Sequence, residues 1–77
     1  MDKKQIRQQV LAELKRIAPE VEESELDDAK LLRDQIDLDS MDWLNFLVAL
    51  HERTGKEIPE SDYAKLATLS QIVDYLA

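Results

Sequence analysis

From Trp43 to Leu50 the chain places seven apolar residues in eight positions, with Asn45 the single exception. A surface helix needs an apolar stripe on one face only. A band this wide predicts a central helix, packed on several sides. Its start is marked by Asp39, whose side chain is suited to accept hydrogen bonds from the free amides of a first turn, and by Asp42, which favours the positive end of the helix dipole. Ser40 is then expected as the first helical residue. Gly55 is expected to end the element, where a left-handed backbone is least costly for glycine.

The other elements assemble around this one. Ile6, Val10, Leu14 and Ile17 recur at helical spacing, predicting a first helix from about Lys3 to Ala18, stopped by Pro19 and favoured at its end by Lys15 and Arg16. From Pro19 to Asp39 no helical or strand period persists. Val21, Leu26, Leu31, Leu32, Ile36 and Leu38 are scattered anchors along what reads as a long loop, a length often tied to function. After a very short strand-like Glu57-Ile58, Pro59 suits the first position of a short helix reaching about Leu66. Thr68 and Gln71 have capping-box spacing, and Leu69, Ile72, Val73 and Leu76 then mark a last amphipathic helix. The expectation is an all-α, four-helix bundle: three longer helices, one short helix and a long loop between the first and second, forming a single domain over residues 1–77.

Composition removes several classes of function. The chain has 77 residues, no Cys and one His, so neither a disulfide nor a Cys/His zinc site can staple so small a core. The formal net charge of −7 argues against a nucleic-acid partner and for a basic protein surface. The uninterrupted apolar run Phe46 to Leu50 is far too short for a membrane span. The basic start leads into alternating residues rather than a signal sequence, so the cytoplasm is the expected compartment; a monomer is the expected state. The acidity is local: residues 20–42 carry ten acidic and two basic side chains, against two and five in residues 1–19 and five and three in residues 43–77. A solvated acidic loop is the plainer reading of that run, and a docking surface for a basic partner the functional one.

No catalytic constellation is visible. His51 lacks a second His, a Cys or a Ser at helical spacing, and reads as a boundary histidine. The stretch Asp34 to Asp42 lacks the glycine and the distal glutamate of a calcium loop, so no metal site is expected beyond weak adventitious binding. Ser40 has no base to activate it, so an enzyme built on this hydroxyl is not expected. A helix N-terminus does favour an anionic group such as a phosphate ester attached there by another protein.

The order of these features resembles the acyl carrier proteins. Asp39-Ser40-Met41-Asp42, an apolar second helix, Gly55-x-Glu57-Ile58-Pro59-Glu60, Leu66-Ala67-Thr68-Leu69 and the closing Val73-Asp74-Tyr75-Leu76 follow the family's order over nearly the whole chain. The resemblance implies a non-enzymatic carrier whose Ser40 receives 4′-phosphopantetheine from coenzyme A through a magnesium-dependent phosphopantetheinyl transferase. Acyl groups then ride as thioesters, in fatty-acid or specialised lipid and secondary metabolism. It also implies that the second helix meets basic docking surfaces on acyl-loading and acyl-processing enzymes. Carried over by position, Asp39 caps the helix beside the attachment site, and Asp39, Met41, Asp42, Asn45 and Glu52 are the partner-facing candidates. Asn45 and His51 stand where fatty-acid carriers commonly have Glu, and Arg53 and Lys56 add positive charge, so the usual acidic stripe is thinned and a dedicated pathway is implied. Trp43, with Leu44 and Leu47, is a candidate to line an acyl path, although packing in the core is the plainer role for Trp43. Two alternatives stay open: an aminoacyl or peptidyl carrier of an assembly line, and a cofactor-free interaction module.

Overall fold

The structure, a computed structural model, describes residues 2–77. Three longer helices form its frame: α1 (Lys3–Ile17), α3 (Ser40–Thr54) and α4 (Leu69–Leu76), with a one-turn helix α2 (Leu32–Gln35) between the first two. Two 3₁₀ segments, Glu23–Glu25 and Glu60–Lys65, complete the helical parts. The helical bundle is therefore as expected. The long loop, though, holds a 3₁₀ turn and α2, both too short to show a period in sequence. The strand-like Glu57-Ile58 forms no strand, and Pro59 sits just before its 3₁₀ helix with extended backbone rather than inside it.

Local chemistry sets the helix ends. The Asp2 side chain accepts from the Gln5 amide at 2.8 Å while Gln5 returns a bond to the Asp2 amide, a capping box that starts α1. Thr68 and Gln71 do the same for α4. Gly55 closes α3 at φ +72°, the left-handed region, and donates its amide to the His51 carbonyl at 2.8 Å.

α1 packs against both α3 and α4. Phe46, Leu47 and Leu50 from α3 meet Val10 and Leu14 from α1 and Leu69 and Ile72 from α4 in one core cluster, all essentially removed from water. Each such side chain contributes about 1.5–3 kcal/mol through its transfer from water. That explains the wide apolar band of α3, which is buried on more than one side.

The acidic segment is pinned rather than free. Arg7 holds Asp28 through two hydrogen bonds of 3.0 and 3.1 Å, and the Ser70 amide donates to the Asp28 carbonyl. Gln35 reaches back to Asp27, accepting from its amide at 2.7 Å and donating to its carbonyl at 2.9 Å. Leu31 forms an isolated antiparallel bridge with Thr68. These bonds fix the segment leading into Ser40 against the start of α4.

Candidate functional site

Ser40 is the first residue of α3 and is exposed. The extended backbone of Asp39 lets its carboxylate turn back and accept from the Asp42 amide at 2.8 Å. The amides of Ser40 and Met41 have no acceptor within the helix, as at any helix start, and they leave positive partial charge beside the Ser40 hydroxyl. No histidine, lysine or carboxylate hydrogen-bonds that hydroxyl among the described residues. The position suits a hydroxyl that is acted upon. An exposed oxygen at a helix N-terminus also fits a phosphodiester, whose charge those amides favour.

The exposed face of α3 carries Met41, Leu44 and Val48, at 68%, 42% and 46% exposure, spaced along one stripe. Asn45 and Glu52 are exposed beside it, and Asp39 and Asp42 lie at its Ser40 end. All five partner-facing candidates are thus accessible to some degree, Asp42 the least. Arg53 does not add its charge freely to this face: Nη1 lies 2.7 Å from Oε1 of the buried Glu13 on α1. His51 is also occupied, its Nδ1 being 2.7 Å from the Lys56 carbonyl at the helix end, a structural role.

The three acyl-path candidates separate. Leu47 is wholly buried and fills the core, while Leu44 faces outward. Trp43 alone borders a cavity, of about 200 Å³, between the loop before α3 and the 3₁₀ helix Glu60–Lys65. It is 8% exposed and packs on Phe46 with ring centroids 5.3 Å apart, so it is at once core and cavity wall. Arg33 and Tyr63 border the same cavity and carry no sequence signal that marks them for it. Neither belongs to an apolar period, and only the fold brings them beside Trp43. Among the described residues no group of three or more His, Cys, Asp or Glu side chains is placed to hold a metal ion. No described helix is long and apolar enough to cross a membrane.

The sequence pattern of the family described as "Phosphopantetheine attachment site" matches residues 4–76. The chain is similar to a protein named acyl carrier protein from Rubrobacter xylanophilus, 30% identical over 73 residues that cover 91% of this chain and 90% of that one. It is also similar to the acyl carrier protein of Rhodococcus erythropolis, 33% identical over 72 residues that cover 90% of this chain and 79% of the relative.

Proposed function

Because the chain belongs to the acyl carrier proteins, the family with a phosphopantetheine attachment site, we propose that Ser40 is the residue that bears the arm. The protein is a carrier and not an enzyme, and its cofactor is 4′-phosphopantetheine. That group supplies the thiol on which an acyl chain is held as a thioester, chemistry that a chain without cysteine does not offer by itself.

The observation that carries the assignment is the exposed Ser40 hydroxyl at the first position of α3, behind the Asp39 cap. Asp39 ties down the first turn, so the hydroxyl is presented on a rigid helix end. The free amides of that turn favour the negative charge of a phosphodiester. The whole of residues 1–77 acts, in this reading, as one carrier domain. Co-expression with a broad-specificity phosphopantetheinyl transferase should add the mass of one arm, and Ser40→Ala should lose it. A folded protein that stays unmodified supports a cofactor-free interaction module instead.

Carriers of this family meet a phosphopantetheinyl transferase and acyl-processing enzymes. We propose that this one offers them the α3 face: Asp39, Met41 and Asp42 next to the arm, Asn45 midway and Glu52 at the far end. Basic groups on a partner would meet the acids at the two ends, while Met41, Leu44 and Val48 supply apolar contact between them. Asn45 and His51, standing where fatty-acid carriers commonly have Glu, support service to a dedicated lipid or secondary pathway over general fatty-acid synthesis, while the pairing of Arg53 with Glu13 withdraws one of the charges that would thin the acidic face further. Action in the cytoplasm is part of the same proposal and rests on the likeness to the acyl carriers above.

A further inference from the structure

The cavity beside Trp43 has an unusual balance of hydrogen-bonding groups. Its walls are mostly apolar, from Leu31, Leu66 and the Trp43 ring, and the polar side chains on it are those of Arg33 and Tyr63. No carboxylate lines it, in a chain with 17 acidic residues.

Arg33 stands apart from the other arginines. Arg7 pairs with Asp28, and Arg16 and Arg53 both pair with Glu13. Arg33 lies in the most acidic part of the chain, yet among the described residues it makes no ion pair. Its one bond is a long one, 3.5 Å from Nη2 to the Leu38 carbonyl. A guanidinium has five N–H donors, so most of those on this exposed residue are left to solvent or to a ligand. The indole N–H of Trp43, which still reaches solvent, also makes no hydrogen bond among the described residues, and neither does the Tyr63 hydroxyl proton. Three residues with hydrogen-bond donors, one of them cationic, thus border an apolar cavity whose lining includes no anionic side chain to pair with Arg33.

We propose that this cavity receives the distal end of an acyl group that bears a second carboxylate, with Arg33 as its counter-ion and Trp43 and Tyr63 as further donors. The inference rests on the arm being at Ser40. Trp43 lies three residues beyond Ser40 on α3, about 4.5 Å along the axis, so a flexible arm must fold back to place its cargo there. The apolar walls take the methylene segment and the donors take the charged end, the usual division of labour in a small-ligand pocket. Tethering raises the local concentration of the cargo to about the millimolar range, so a modest affinity is enough.

The test uses the full chain loaded by a broad-specificity transferase from succinyl- and butyryl-coenzyme A, two four-carbon cargoes that differ in a distal carboxylate. Trp43 is the only tryptophan, so its indole N–H resonance reports on the cavity without ambiguity. The succinyl form should shift that resonance and raise the thermal midpoint above that of the butyryl form by on the order of 4 °C. Arg33→Gln, at an exposed position, should keep the fold and abolish both differences, and Tyr63→Phe should reduce them. Equal behaviour of the two cargoes overturns the proposal. So does an Arg33→Gln effect already present in full on the unacylated holo form, which would make the arm's phosphodiester the partner of Arg33. A chain that gains no mass overturns the Ser40 reading and this inference with it. A loaded chain with an unmoved Trp43 resonance overturns this inference alone.

Discussion

Removing the guanidinium that faces Glu13 should cost more than removing Glu13 itself. Glu13 is 6% exposed on α1, with Oε1 2.7 Å from Arg53 Nη1 on α3 and Oε2 3.2 Å from Arg16 Nε. The second contact attracts but lacks the alignment of a hydrogen bond, so Arg53 is the carboxylate's main partner. Arg53→Met leaves a buried charge with only the exposed Arg16 for company. Breaking a fully buried pair costs about 3–5 kcal/mol, but the Arg53 side chain is 43% exposed and water can replace part of it. We therefore expect a loss of about 2 kcal/mol, or about 8–16 °C in melting temperature for a chain this small. Glu13→Met removes the charge that needed solvating and leaves two arginines near enough to solvent to rehydrate, so its cost should stay below about 1 kcal/mol. Thermal melts followed by far-ultraviolet circular dichroism compare the two variants directly. Equal losses, or a larger loss for Glu13→Met, would refute the reasoning and make the ion pair a net stabiliser.

Other expectations follow from single contacts. Gly55→Ala meets no atom within 4 Å, so its cost is purely that of a left-handed backbone, about 1 kcal/mol, and Gly55→Asn should cost less in the same chemical denaturation. Hydrogen bonding from Arg7 holds the Asp28 carboxyl below the usual carboxylate range, an effect opposed by burial and helped by charge attraction. Its contribution is therefore present above about pH 4 and lost as the pH falls through the lowered folded value. Acid melts of wild type and Arg7→Met should converge there, and a constant gap down to pH 2 counts against the linkage. Tyr75 runs the other way: its hydrogen bond to Asp62, and then burial, raise the pKa of its hydroxyl. That contribution holds below about pH 10 and fades as the pH rises through the folded value, a fade that Tyr75→Phe should remove from alkaline melts. With ten acids in residues 20–42, moderate salt should raise the melting temperature, and an unchanged midpoint would show that the bonds of Arg7 and Gln35 already offset the repulsion.

What the sequence made legible is what local chemistry decides. Asp39, Thr68 and Gly55 end or begin helices by contacts within four residues, and those boundaries agree with the structure. Asp2 and Gln5 carry the same capping signal for α1, one that an apolar stripe does not register. The content of the long loop was hidden because α2 has only four residues, little more than one turn. Its stability comes from contacts distant in sequence: Leu32 to Ala67, Asp28 to Arg7 and Ser70, Gln35 back to Asp27. The candidate site divides in the same way. Ser40 and its cap are read from four consecutive residues, whereas the engagement of Arg53 by Glu13 spans forty positions. The meeting of Arg33, Trp43 and Tyr63 exists only once the loop and the 3₁₀ helix are folded against α3.

We propose that one hydroxyl, at the start of α3, bears the arm. The chain has four serines, Ser24, Ser40, Ser61 and Ser70. Fragment-ion mapping of the protein after reaction with coenzyme A and a phosphopantetheinyl transferase tells them apart. The full added mass is expected on the fragment carrying Ser40 and none on the other three. Modification at Ser24, Ser61 or Ser70, or a folded protein with no added mass on any serine, would contradict it.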